Sequence, residues 1–228
     1  MSSEIWKEII DEYQLARSFL WCPKHSRSWS RKENDGFYHL WRAYHLATSC
    51  EVRQSLWYAR VLYMMASEQR YKQSDYVILN TYLKPCMEAY AEAEKMGEAV
   101  LAEEKENAEY LYRLYLHNEA HTCSTEENYT AAYARIEGLP AETDFQFHDS
   151  KVLDFAHDSS TARLTLQYGE VKITLLFEDV YEIKVFSVDP DVVWISEFNC
   201  YPTFHSDTQL IFDVGFYKIQ CGKIKVLQ

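Results

Sequence analysis

Glycine and proline are scarce in this chain of 228 residues, with six and five copies respectively. Long flexible or low-complexity linkers are thereby excluded, and a glycine-rich backbone cradle for phosphates has little raw material. Neither G-x-G-x-x-G nor G-x-x-x-x-G-K-[ST] occurs, and no G-x-S-x-G elbow presents a nucleophilic serine. Kinase, dinucleotide-binding and α/β-hydrolase readings fall away. The six cysteines, at 22, 50, 86, 123, 200 and 221, form no C-x-x-C pair and no tight cluster, which removes a zinc ribbon or a thioredoxin-type motif. No apolar run reaches the roughly 18 to 20 residues that a membrane span needs. The start, MSSEIWKEII, lacks the basic segment and apolar run of a secretory signal. The expectation is therefore a cytoplasmic protein with reduced, mostly buried thiols. Together these absences weigh against an enzyme, and they nominate no catalytic residue and no bound cofactor.

Aromatic side chains, by contrast, are abundant: 18 Tyr, 11 Phe and 6 Trp within a composition that is 47% hydrophobic. That is enough to bury a core in one large or two modest domains. The 35 acidic residues outnumber 23 basic ones for a net charge of -12. Residues 141–228 hold 14 acidic against 7 basic side chains, so neither half is a basic module. No nucleic-acid partner is expected, because a phosphate-tracking surface needs the opposite balance. No membrane partner is expected either.

Ile5, Trp6, Ile9, Ile10, Tyr13, Ala16 and Phe19 or Leu20 recur at helical spacing, which predicts an amphipathic helix over 4–21 that Cys22-Pro23 ends. Asn34 or Asp35 is placed to cap a second helix carrying Phe37, Leu40, Trp41 and Tyr44 on its inward face. A third helix, from about Glu51, carries Val52, Leu56, Ala59, Leu62, Tyr63 and Ala66 on one face and forms a hairpin with the second. Residues 74–96 read as helical with a kink or split at Pro85 and a stop at Gly97, and 98–121 as helical again. Ser124-Thr125-Glu126-Glu127 offers a capping box for a last helix to about Glu137, which Gly138-Leu139-Pro140 terminates. No repeat of about 34 residues keeps its small and aromatic positions in register, so an irregular bundle is preferred over a solenoid.

Beyond Pro140 the apolar period drops to two. Strands are expected at 152–155, 164–168, 171–177, 181–186, 192–198 and 209–213, with a loop at 199–207 and two short strands on either side of Gly222. The fold class is α+β. An irregular helical domain over 1–140 precedes an antiparallel β domain over 141–228, a curved sheet or small open barrel packed against the helices.

Three groups of side chains stand out chemically. His117 and His121, four apart, share a helix face and are the metal candidates, in the manner of H-E-x-x-H peptidases. Glu119, at the second position after His117, points about 200° around the helix from it, and the third ligand, with His45, Cys123 and His148 as candidates, must come from elsewhere. The other reading of the pair is two histidines whose protonated forms suit a helix C-terminus. Around Trp29, the basic residues Lys24, Arg27, Arg31 and Lys32 make an aromatic-bearing loop that suits an acidic partner or a phosphate, or is a solvated loop whose Trp29 folds back on the helices. His148-Asp149, His157-Asp158 and His205 with Asp207 lie at strand ends and turns; they form an acid–base or metal cluster if those ends share a rim, and are turn formers if not. Two functions from different classes follow: a non-catalytic protein-binding module, and as the alternative a metal-dependent hydrolase holding a divalent ion on a histidine cluster.

The strand half resembles a known type of sequence. His148-Asp149 opening the first strand, the FEDVYEI stretch over 177–183, Trp194 and the closing Ile224-Lys225-Val226 resemble the C-terminal region of uncharacterised bacterial families of unknown function, mostly from Firmicutes. The resemblance covers about residues 145–228 and carries no catalytic residue with it. Similar sheets occur among immunity proteins of bacterial toxin systems, which implies a regulatory or immunity-type module that binds another protein.

Overall fold

A computed structural model describes residues 2–20, 29–50, 54–70, 73–142, 144–185 and 194–227, with the side chains of 2–3 and 29–33 outside that description. The layout is α+β, with helices in the N-terminal half and two mostly antiparallel sheets in the C-terminal half, neither closed into a barrel. The chain divides into two compact units, Met1–Leu116 and His117–Gln228.

The helical unit opens with α1 (Ser2–Leu20), which lies along α2 (Trp29–Ser49). Trp6, Ile9, Tyr13 and Ala16 of α1 are buried, as their spacing requires, and Leu40, Ala43 and Ala47 form the inward seam of α2. The two helices approach closely where a side chain is missing: a Cβ on Gly36 would sit 2.8 Å from Leu20 Cγ. The expected start of this helix at Asn34 or Asp35 is corrected to Trp29, since Arg31, Lys32 and Glu33 are good helix formers. Half of the expected basic loop is therefore helical backbone.

Helix α3 (Ser55–Gln69) differs from its expected one-sided pattern. Leu56, Tyr58, Val61, Leu62, Met64 and Met65 are all buried, so apolar residues cover most of its circumference, which is the mark of a central helix. It packs on α5 (Lys84–Lys95). The helix expected over 74–96 begins as α4 (Asp75–Val77), widens into a π segment (Ile78–Leu83) and continues as α5 with Pro85 in its first turn. A ring nitrogen cannot donate and clashes with the preceding turn; the wider π turn absorbs that conflict without breaking the rod. Gly97, at φ 74°, ends it in a Schellman motif, with Glu98 N donating to Ala93 O at 2.9 Å and Gly97 N to Glu94 O at 3.0 Å.

The unit boundary falls within α6 (Ala102–Ala120) rather than at Pro140. Helix α7 (Glu126–Ala134), capped by Thr125 Oγ1 accepting from Asn128 N at 3.2 Å, belongs with the strands. Ala132 is buried in the strand unit's core because Tyr129 and Tyr133 bring α7 onto Phe147 and Phe198.

Among the described residues nine strands follow: β1 (Ile136–Glu137), β2 (Lys151–His157), β3 (Thr161–Tyr168), β4 (Val171–Glu178), β5 (Glu182–Val185), β6 (Asn199–Thr203), β7 (Ser206–Asp213), β8 (Tyr217–Cys221) and β9 (Lys223–Leu227). They form a five-stranded sheet in the order β1-β9-β4-β3-β2 and a four-stranded sheet in the order β5-β8-β7-β6. Between them lie Leu164, Leu166, Leu175, Phe177, Phe212 and Ile219, all buried, and Phe155 of β2 stacks on Tyr217 of β8 at 4.2 Å. The expected loop over 199–207 is corrected, for Pro202 sits inside β6. This is an outer strand of its sheet, where a missing backbone donor is tolerated. The strand expected over 192–198 reduces, among the described residues, to a single bridge from Trp194 to Lys151.

The two sheets are joined at one corner. Strands β4 and β9 pair up to Glu178 opposite Lys223, and after the corner β5 and β8 resume with Glu182 opposite Gln220. At the turn, Gly222 N donates to Glu178 O at 3.0 Å and Asp179 O at 3.1 Å, while Asp179 takes φ 52°. One bent ladder thus contributes strands to both sheets, in the way corners are made in orthogonal sandwiches.

Candidate functional site

His117 lies in the last turn of α6 and His121 just past its end, and the structure does bring them together, with ring centroids 4.3 Å apart. Their hydrogen bonds give each ring a structural task. His117 Nε2 lies 3.0 Å from Pro202 O, and a carbonyl only accepts, so this nitrogen carries the proton. By the same argument His121 Nδ1 donates to His117 O at 2.8 Å. Phe204 and Tyr201 pack against the two rings. The pair therefore fastens the β6–β7 hairpin to the end of α6. Cys123, offered as a third ligand, has its Sγ 3.8 Å from Asn128 O and its thiol pushed up by burial, which disfavours the thiolate that a metal needs. His45 stacks on Trp41, and His148 is solvent-facing. Among the described residues no group of three or more His, Cys, Asp or Glu side chains is arranged to hold a metal ion.

Among the described residues the strand-end histidines and aspartates do not gather into a group of three or more that could hold a metal ion, and the two pairs that flank β2 lie apart. His148 precedes β2 and His157 closes it, so the two are separated by the length of the strand, about 20 Å at ~3.3 Å per residue. His148 Nδ1 lies 3.0 Å from its own neighbour's carboxylate, Asp149 Oδ2, both well exposed. Asp149 adopts φ 66° and donates its amide to Ile195 O at 2.9 Å. Asp158 is a turn former: its carboxylate accepts from Ser160 N, Thr161 N and Thr161 Oγ1, each at 2.8 Å. Those bonds, chiefly that from the Ser160 amide, hold its carboxyl down at about 2. Of the expected basic site around Trp29, Lys24 and Arg27 lie outside the described residues, and so do the side chains of Trp29, Arg31 and Lys32.

The surface feature that the sequence reading missed is on α2. Tyr38 and Trp41 are 62% and 36% exposed, and Arg42 and His45, one turn on from each, are exposed beside them. Positions 38, 41, 42 and 45 share one helix face. The expected inward placement of Trp41 is thus corrected: the buried seam is Leu40-Ala43-Ala47, where two small residues let the neighbouring helix approach, and the large rings turn outward. The stripe is held in shape. Trp41 stacks on His45 at 5.5 Å, and Arg42 is anchored to Glu8 at 2.5 Å and to Glu12 at 3.4 Å. Glu12, only 8% exposed, also binds His39 Nδ1 at 2.6 Å, and the His39 ring stacks on Phe19. A period of 40–43–47 against 38–41–45 was the available signal, obscured because both sets contain apolar residues. No family model matches the chain, no curated protein matches it, and no solved structure matches it.

Proposed function

We propose that the chain is a non-catalytic protein-binding module of regulatory or immunity type, and that the outer face of α2 is where its partner docks. The observation that carries this reading is the exposed, pre-ordered stripe of Tyr38, Trp41, Arg42 and His45. Trp, Tyr and Arg are the residues in which interface hot spots concentrate, and rings already fixed by stacking lose little freedom when a partner covers them.

The test compares exposed aromatic residues on this face with others elsewhere. A partner retained in stoichiometric amount by the purified wild-type chain should be lost in Trp41→Ala and Tyr38→Ala, each truncation costing about 2 kcal/mol or roughly thirtyfold in affinity. Tyr76→Ala and Tyr181→Ala, at residues 63% and 58% exposed, should retain it. Retention by the two stripe variants, or failure of the wild-type chain to hold any partner, refutes the proposal.

A further inference from the structure

The outward face of the five-stranded sheet carries an open groove of about 540 Å³ lined by Asp154 and Ala156 of β2, Arg163 and Thr165 of β3, Lys172 and Thr174 of β4, and Leu227 of β9. Strand alternation puts these residues there: Ala162, Leu164 and Leu166 point into the core, so Arg163 and Thr165 point out. Thr165 and Thr174 are directly opposed, with their Oγ1 atoms 3.1 Å apart. One hydroxyl donates to the other, and the second keeps a proton to offer outward. Arg163 lies two residues before Thr165 and Lys172 two residues before Thr174 on antiparallel strands, so the cations flank this hydroxyl pair diagonally. Their Cα atoms are about 14 Å apart, a span that two long side chains close.

These two cations differ from two other basic groups on the same face. Lys225 is neutralised by Glu178 at 2.6 Å and Lys223 by Glu137 at 2.5 Å, whereas neither Arg163 nor Lys172 forms an ion pair with a described residue, a property they share with Lys151, which lies in the same cross-strand row as Lys172 but does not line the groove. In a chain of net charge -12, the two cations outnumber the one carboxylate that lines the groove, Asp154 opposite Thr165, and leave a local excess of positive charge beside two hydroxyls. A planar carboxylate is satisfied by one guanidinium fork; donors arriving from two corners and from the floor match the divergent oxygens of a phosphate. Asp154, on the β2 side, opposes a second negative group and instead accepts a hydroxyl or amine. A polyanion such as nucleic acid is disfavoured by that carboxylate and by the overall charge.

We propose that this groove binds a small phosphate-bearing molecule, held by Arg163 and Lys172 over the Thr165–Thr174 pair. The site uses side chains in place of a glycine-rich backbone cradle, and it is independent of the α2 face.

The experiment is a titration of the isotope-labelled full chain with inorganic phosphate, followed through its backbone amide resonances and compared with chloride at matched ionic strength. Saturable shifts confined to residues around 154–156, 163–165 and 172–174 are expected, with a dissociation constant on the order of millimolar for the bare ion. Arg163→Gln with Lys172→Gln should weaken binding roughly tenfold or more, while Lys225→Gln, which alters a cation already paired, should leave it within about twofold. Arg163 and Lys172 are exposed and Lys225 is half-buried, so unchanged melting temperatures distinguish lost binding from lost fold. Shifts that chloride reproduces, or a double variant that binds as the wild type does, overturn the proposal.

Discussion

Arg60→Met tests how the helical unit is held together. Arg60 on α3 and Glu104 on α6 form a two-pronged ion pair, Nε to Oε1 at 2.7 Å and Nη2 to Oε2 at 3.0 Å, with side chains only 17% and 19% exposed. Tyr90 of α5, fully buried, donates its hydroxyl to the same Oε1 at 3.1 Å, so one carboxylate ties three helices. The guanidinium also lies 4.5 Å above the Trp57 ring. Removing one partner of a buried pair costs about 3–5 kcal/mol, because the other charge is left desolvated. Here a fifth of each side chain still meets solvent and Tyr90 remains as a donor, so the cost falls to ~2–3 kcal/mol. Methionine keeps its contact with Trp57, and the cation–π loss of about 0.5–1 kcal/mol is within that figure. Thermal unfolding followed by circular dichroism should move down by ~8–12 °C. Arg60→Met with Glu104→Met should recover most of the loss, since a well-packed apolar pair replaces a buried ion pair at little net cost. For scale, Lys95→Met, which removes a pair whose side chains are 75% and 53% exposed, should cost under ~0.5 kcal/mol. A single variant no worse than Lys95→Met, or a double variant less stable than the sum of its singles, refutes the idea that buried charge compensation organises this core.

Three further outcomes follow from particular contacts. Gly222→Ala places a Cβ 3.0 Å from Asp179 Cβ and 3.1 Å from Asp179 Oδ2, so Asp179 must give by a few tenths of an ångström at the corner shared by the two sheets, at ~1–3 kcal/mol; denaturant unfolding measures it, and an unchanged midpoint contradicts the corner's role. Asp158 should titrate near 2 by carboxyl NMR. Since folding lowers that value, its contribution to stability is complete above the ordinary carboxylate range and is lost as pH falls through about 2; a midpoint near 4 contradicts the turn geometry. His117→Ala removes the donor to Pro202 O and should cost about 1 kcal/mol. Zinc should raise the melting temperature of neither this variant nor the wild type, whereas stabilisation of the wild type alone would restore the metal reading.

The strand half was legible where burial is one-sided. Leu164, Leu166 and Tyr168 alternate with polar residues, and the register that the structure assigns, Leu164 opposite Leu175 and Leu166 opposite Ile173, keeps both sets on the core side. A period of two carries that information directly. Pro202 misled because proline demotes a strand only in the middle of a sheet, and nothing local says that β6 lies at an edge. In the helical half, α3 reads as one-sided from its spacing although it is buried nearly all round. The number of neighbouring helices, which decides this, is a property of the assembled unit and not of the 15 residues. Pro85 reads as a kink or split because the π segment before it depends on a hydrogen-bond shift that residue identity does not encode.

The same distinction explains the site. His117 and His121 do share a face, as a separation of four dictates, yet the atoms that define their chemistry, Pro202 O and His117 O, are backbone carbonyls with no signature in sequence. Spacing therefore finds a pair of imidazoles but not what occupies their nitrogens. The α2 stripe shows the converse. Tyr38, Trp41 and His45 were visible as residues, but with apolar side chains on both faces the inward side is chosen by which set packs more closely. Gly36, Ala43 and Ala47 are the small residues that allow close approach, and they, more than the large rings, determine the helix's rotation. If that is so, Ala43→Leu should destabilise the helical unit by ~1–3 kcal/mol through overpacking, while Trp41→Ala, at a ring already more than a third exposed, should cost under about 1 kcal/mol. Equal losses from the two would mean that Trp41 helps to hold the core and is not free to bind a partner.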